Sequence, residues 1–322
     1  MAEAKIPQLR RDKGLHPRNR HRQGYDFTAL AQQFPPLKRH LLTTQYGQLS
    51  INFSEPAAVK ALNTALLKQH YQICDWSLPD GYLCPPVPGR EDYLHHLADL
   101  LAAGGAIPKG TQITALDIGT GANGIYPLLG AAIYGWRFVG SDIDAKALQH
   151  LQSVLNANPR IAALVSLRQQ SQPQHIFANI IQPGEYFDVT LCNPPFHRSA
   201  AEAQQGSLRK VRNLAANRGD KPTKQPLLNF AGRANELWCD GGEAGFLQRM
   251  ISESKHYGVQ VLWFSSLVSK AENLPQCYRW LTQQQAQAVR TLKMVQGNKQ
   301  TRILAWSFLD ENTRQTWRKF KA

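Results

Sequence analysis

Leu116-Asp117-Ile118-Gly119-Thr120-Gly121-Ala122-Asn123-Gly124 joins one apolar run to the next, and its reading decides the fold. Gly119, Gly121 and Gly124 have the spacing G-x-G-x-x-G. Glycine permits positive φ and lets a ligand come close to the backbone. Between a strand and a helix, such a turn holds a nucleoside cofactor; the glycines alone describe only a tight turn. Asp142 ends the next apolar run, 18 residues after Gly124, where an acid can accept hydrogen bonds from both ribose hydroxyls.

Outward from this turn, strand-like and helix-like runs alternate, the pattern of a parallel sheet with crossover helices. Strands are expected at 112–118, 137–141, 164–168, 187–192 and 259–265, and helices at 124–134, 145–156 and 243–256. A helix-like stretch at 270–285 leads to 289–295, a turn at Gly297-Asn298 and 301–308, an antiparallel hairpin that closes the sheet. Upstream, 26–45 carries a helical pattern broken by Pro35-Pro36, and 49–53 reads as a short strand. Ser54 and Pro56 start a helix through about 71. The segment 83–90 reads as an extended, proline-stiffened loop, with a helix over 91–103. The division expected is 1–45 as basic arm and leading helix, then 46–322 as the catalytic domain, with a basic insertion over 197–240.

The fourth strand runs into Asn193-Pro194-Pro195-Phe196. Proline fixes φ and removes an N–H, so the Pro194 carbonyl points within a narrow range of directions. The Asn193 side-chain oxygen is a second acceptor, and Phe196 offers a stacking face. These residues suit a flat, amine-bearing group; the plainer alternative is a rigid turn. An exocyclic adenine amine is a poor nucleophile because its lone pair is delocalised into the ring. Two acceptors on its N–H groups favour a pyramidal nitrogen whose lone pair meets a methyl donor. Asn is no base at neutral pH, so positioning and electrostatics supply the rate. A base in a helix must be unpaired or flipped to reach such a pocket. Asp117, at the end of the first strand, suits a cationic cofactor better than a pyrophosphate. S-adenosylmethionine is therefore favoured over a dinucleotide.

The 322 residues carry 37 Lys+Arg against 23 Asp+Glu, a net +14 that favours a polyanionic partner. Arg18 and Arg20 belong to a basic stretch over 1–24, and Arg209 and Lys210 to the loop after Phe196. Five scattered cysteines without a C-x-x-C pair argue against disulfides and zinc, and for a reducing cytoplasm. The pair His95-His96 sits on an amphipathic helix and reads as surface and partial core, not as a metal pair.

Three separated motifs carry a resemblance: Gly119-Thr-Gly-Ala-Asn-Gly-Ile-Tyr-Pro-Leu-Leu129, Leu83-Cys-Pro-Pro-Val-Pro-Gly-Arg90 and Asn52-Phe-Ser-Glu-Pro-Ala-Ala-Val59. Together with Asn-Pro-Pro-Phe they resemble the bacterial 23S ribosomal RNA adenine-N6 methyltransferase F family and its eukaryotic relative acting on U6 small nuclear RNA. The likeness starts near Leu15-His-Pro-Arg-Asn-Arg20 and covers most of the chain. It implies a Rossmann-like class I methyltransferase: α/β, seven mostly parallel strands with an antiparallel last strand, helices on both faces. S-adenosylmethionine is then the cofactor, held by Asp117, Gly119, Thr120, Gly121, Asn123, Gly124, Asp142 and Asn193. The catalytic residues are Asn193, Pro194, Pro195 and Phe196. The resemblance places Arg90 near the active site, and has the N-terminal arm with Arg18 and Arg20, and the loop with Arg209 and Lys210, contact RNA. Ala122-Asn123 stand where many methyltransferases carry other residues, which leaves the cofactor expectation intact because backbone atoms dominate there. Residues 169–185 match no motif, so the groups contacting the cofactor adenine stay unassigned.

The expected enzyme is a monomeric, metal-free methyltransferase acting on an unpaired or flipped adenine of 23S ribosomal RNA. Other readings are methylation of another amine (an RNA base or a protein glutamine), an inactive RNA-binding assembly factor, and a nicotinamide dehydrogenase. Deleting residues 1–24 is expected to weaken RNA binding and flatten its salt dependence, because fewer phosphates are neutralised. Binding isotherms at several salt concentrations check this, and an unchanged slope would make the stretch a solubilising tail.

Overall fold

The computed structural model describes residues 14–195, 197, 199, 234–296 and 299–321. The glycine turn does sit between a strand and a helix. Strands β1 (Leu41–Thr43) and β2 (Leu49–Ile51) form a small antiparallel pair. Then come β3 (Thr114–Ile118), β4 (Arg137–Asp142), β5 (Val165–Gln169), β6 (Phe187–Cys192), β7 (Val261–Val268), β8 (Ala288–Gln296) and β9 (Lys299–Ser307). These seven make one sheet in the order β5-β4-β3-β6-β7-β9-β8. All neighbours from β5 to β7 are parallel, and β9 is antiparallel to both β7 and β8. The expected seven-stranded sheet with an antiparallel last strand is therefore present.

Side chains alternate across the sheet. In β6, Val189 and Leu191 pack into one core, while Cys192 packs into the other. The first core is closed by α2 (Pro56–Tyr71), α3 (Val87–Ala102), α4 (Ile125–Tyr134) and α5 (Ala145–Asn156). Other helices before these are α1 (Phe27–Gln33) and, after α5, the single turn α6 (Pro159–Ala162). The second core is closed by Leu247, Met250 and Ile251 of α8 (Gly242–Ser254) and by Cys277 and Leu281 of α9 (Leu274–Gln283). The one-turn α7 (Ala234–Leu237) precedes α8, and α10 (Glu311–Lys321) ends the chain. Every residue of β6 and β7 is buried, as strands covered on both faces require. Among the described residues no helix is long and apolar enough to cross a membrane.

Three local expectations are corrected. Residues 87–90 are not extended: they form the first turn of α3, because Pro88 sits where a helix lacks an N–H partner anyway. Ser54 is not the cap of α2; Glu55 holds that position without a side-chain bond. The helical pattern over 26–45 resolves into α1, a 3₁₀ turn (Pro35–His40) and β1, since paired prolines cannot continue a helix. The C-terminal α10 had no expectation at all. Its Trp317 is buried, and the indole N–H donates to Asp188 Oδ1 at 2.9 Å.

Part of the basic stretch is built into the fold. Over 14–25 the chain buries Leu15, His16, Asn19 and His21, while Arg18 and Arg20 remain on the surface. The His16 amide donates to Asp92 Oδ1 at 2.7 Å, as does the Asn19 amide group at 2.9 Å. Glu91 is fully buried, accepts from the Arg20 N–H at 3.2 Å, and lies 3.3 Å from His95 and 3.5 Å from His21. Burial pushes its carboxyl up, but His95, His21 and Tyr71 outweigh this and hold it below the usual range. His95 is thus core, with His96 half-buried.

These contacts divide the arm into two parts with different consequences. Truncation to residue 13 leaves the strap, whereas truncation to residue 24 strips partners from two buried carboxylates. The longer deletion is expected to lower unfolding free energy by about 3–5 kcal/mol in denaturant titration, and the shorter one to leave it unchanged. Equal stability of the two truncations would contradict the strap assignment.

Candidate active site

Register brings the site together. Ile118 pairs with both Ser141 and Cys192, so the carboxyl ends of β3, β4 and β6 are level. The chain reverses its winding at β3, and the crevice that opens there is where such sheets bind ligands. The glycine turn, Asp142 and Asn193-Pro194-Pro195 all emerge at this edge. Together with Arg90 they surround a cavity of about 570 Å³.

Each glycine has its own task. Gly119 and Gly121 have φ of 74° and 63°. A Cβ on Gly119 would meet nothing within 4 Å, which leaves an open approach for a ligand. A Cβ on Gly124 would sit 2.2 Å from Leu151 Cδ1, so this glycine lets α4 pack closely on α5. The Gly119 and Thr120 amides both donate to the Ser141 carbonyl at 2.9 Å, which ties the turn to β4.

Asp142 accepts from the Gly121 amide at 2.8 Å and the Asp144 amide at 2.9 Å. Burial raises its carboxyl above the usual range, against the pull of those amides. The side chain is fixed and faces the cavity, as ribose recognition needs. Asp117 differs from expectation in place. It is 1% exposed, forms no part of the cavity wall, and neither carboxylate oxygen has a hydrogen-bond partner. Burial pushes its pKa up to about 7; the Thr120 hydroxyl opposes the rise without bonding it, Asp142 adds to it, and Arg90 opposes it.

Arg90 leaves the first turn of α3, donates to the Tyr126 hydroxyl at 2.8 Å and lies 5.5 Å above that ring. Asn193 is half-buried on the wall, with Pro195 beside it. Asn123 is turned inward: its Oδ1 accepts from the Ile125 amide at 3.0 Å, and its backbone carbonyl accepts from Trp76 at 3.0 Å. Arg18 pairs with Asp99 at 2.8 Å, and Arg20 lies 5.4 Å above Tyr71. Both are braced on the surface away from the cavity wall. Phe196, Arg209 and Lys210 lie outside the described residues.

Other wall residues carry no sequence signal. Gln170 and His175 come from the stretch that matched no motif. That stretch is pinned by Glu253 of α8, whose carboxylate accepts from the Ile176, Phe177 and Ala178 amides at 2.8, 2.9 and 2.7 Å. In sequence, an acid near a helix end reads as a surface residue. Glu236 and Tyr82 also reach the cavity, and Tyr82 donates to Asp144 Oδ2 at 2.9 Å. Among the described residues no cluster of His, Cys, Asp or Glu has the arrangement of a metal site.

A family model described as RNA methyltransferase matches residues 9–310. Two proteins named ribosomal RNA large subunit methyltransferase F are similar along nearly the whole length. That of Shewanella frigidimarina is 56% identical over 315 residues, covering 95% of this chain and 88% of its own. That of Shewanella denitrificans is 55% identical over 313 residues, covering 96% and 87%. Among solved structures, the human METTL16 catalytic domain in complex with MAT2A 3′UTR hairpin 1 superimposes with a TM-score of 0.78 at 30% identity, covering 93% of this chain and 97% of that one. The N-terminal domain of human METTL16 in complex with SAH gives 0.73 at 27% identity, covering 92% and 99%. The cavity fits the same class of ligand: an open glycine face, a fixed acid where a ribose would lie, and a guanidinium.

Asp117 carries a pH signature. Its pKa lies above the usual 3.8, so between those values the folded state binds more protons, and stability without ligand falls as pH rises. Asp117→Asn is expected to raise the melting temperature above about pH 7 and to bring little gain below about pH 4. Thermal unfolding across pH checks this; a gain independent of pH would contradict the buried, partnerless carboxyl.

Proposed function

The chain belongs to the RNA methyltransferase family, as an S-adenosylmethionine-dependent enzyme, and from that premise we propose that it methylates the N6 amine of one adenine in 23S ribosomal RNA. The observation that carries this reading is the position of Asn193. It stands on the wall of the cofactor cavity and also on that of a shallow recess of about 80 Å³, which Arg90, Ser269, Met294 and Thr301 help to line. A group entering through that recess meets Asn193 with the methyl donor on the other side.

S-adenosylmethionine supplies the electrophilic methyl group. The chain supplies orientation. The Asn193 side-chain oxygen and the Pro194 carbonyl accept the two N–H groups of the amine, drawing the nitrogen toward a pyramidal shape with its lone pair toward the donor. The product amine is then a cation, and its extra proton departs to water, since no base is needed at that stage. Phe196 stacks on the base, and Arg90 steadies it from α3. The adenine is unpaired or flipped, because a stacked base cannot reach Asn193. Arg18 and Arg20 on the strap, and Arg209 and Lys210 in the insertion, contact phosphates. The working form is a monomer in the cytoplasm, comprising the strap with its leading helix and the catalytic domain from about residue 46.

The similarity of the F-named relatives and the net +14 favour ribosomal RNA over a protein glutamine. Mass mapping of 23S RNA from cells with and without the gene tests the reading. Loss of a single N6-methyladenine is expected, and an unchanged set of modified adenines would refute it. Asn193→Ala is expected to lower kcat by about 10²–10³ while S-adenosylhomocysteine affinity stays within about threefold. Calorimetry and single-turnover kinetics measure the two; normal turnover would remove the amine clamp.

A further inference from the structure

We propose that Glu236 is a cofactor-binding carboxylate that recognises the sulfonium charge of the methyl donor and clasps the cleft around it. This rests on the reading of the cavity as the S-adenosylmethionine site. Glu236 lies on α7, where the chain returns after the basic insertion. It is half-buried and lines the same cavity as Gly119, Asp142 and Asn193. Its Oε2 accepts from the Leu83 amide at 2.9 Å. Its Oε1 lies 3.3 Å from the point a Cβ on Gly121 would occupy. The carboxylate therefore spans from the proline segment to the glycine turn, where a side chain at 121 would crowd it.

The other wall acids have different work. Asp142 accepts two backbone amides at the ribose end. Asp144 caps α5 through Oδ1 and takes the Tyr82 hydroxyl on Oδ2. Asp240 is exposed at the rim. Asp117 is buried below the wall. Glu236 is the acid placed over the turn itself, beside the amide that Asp142 holds. A donor bound there carries its sulfonium between the ribose and the methyl-transfer end, within reach of this carboxylate.

The same segment is tied to the catalytic strand end. The His197 amide donates to the Leu237 carbonyl at 3.0 Å, and the Cys239 amide donates to the His197 carbonyl at 3.1 Å. His197 and Trp238 form a parallel bridge. Residues 236–239 thus link the chain just beyond Asn193-Pro194-Pro195 to Leu83 on the opposite side of the cleft.

A carboxylate near the sulfonium favours the charged donor over the neutral thioether product. It stabilises a charge that transfer removes, so its benefit lies in donor capture and product release, not in the methyl-transfer step. Calorimetric titration of the purified chain, without RNA, tests this on Glu236→Gln. The expected result is about tenfold weaker S-adenosylmethionine binding with less than about threefold change for S-adenosylhomocysteine. Glu236→Asp is expected to recover part of the donor preference. Equal weakening of both ligands, no change, or tighter binding would each overturn the proposal. An unfolded fraction lowers the number of sites but leaves the ratio of the two dissociation constants intact. Failure of the wild-type chain to bind either ligand would instead sink the cofactor reading itself.

Discussion

The level register of three parallel strands governs this molecule. Because Ile118 pairs with both Ser141 and Cys192, the ends of β3, β4 and β6 deliver a glycine turn, an acid and Asn193-Pro194-Pro195 to one edge. A slip of one residue would turn Asp142 and the apolar residues of β4 to the opposite faces. The register is held by two-sided burial, with Val189 and Leu191 in one core and Cys192 in the other. The chemistry at the edge depends on this packing more than on any single hydrogen bond.

Around that edge, buried polar groups act as pins. Asp188 sits within β6 and is satisfied by the Thr114 amide and the Trp317 indole. Glu243 starts α8 and takes the amides of Ser269 and Lys270. Glu253 takes three successive amides and shapes the wall beside Asp142. Asp117 stands apart, buried without a partner. An acid kept in that state is destabilising for the fold alone.

The alternating strands and helices, the closing hairpin and the glycine turn were legible because each is written in local patterns: alternation, a tight spacing, an acid at a strand end. The place of Asn193 at the cavity wall was legible because a polar residue and two prolines follow a buried strand there. What stayed hidden depends on distant packing. Residues 87–90 read as a loop because prolines dominate them, yet α3 begins there. The strap over 14–25 read as a basic arm because its arginines outnumber its acids, while His16 and Asn19 find partners on α3, more than seventy residues away, and His21 meets the Tyr71 hydroxyl of α2. Glu236 and Glu253 carry no spacing that separates them from surface acids.

The account's central claim is that the clamp selects an exocyclic amine by two acceptors and no base. Incubating the purified chain with S-adenosylmethionine and protein-free 23S RNA, then identifying the methylated nucleoside by mass spectrometry, tests it most directly. N6-methyladenosine at one position is the predicted result. Methylation at a ring carbon, at a ring nitrogen or at a ribose hydroxyl would contradict it.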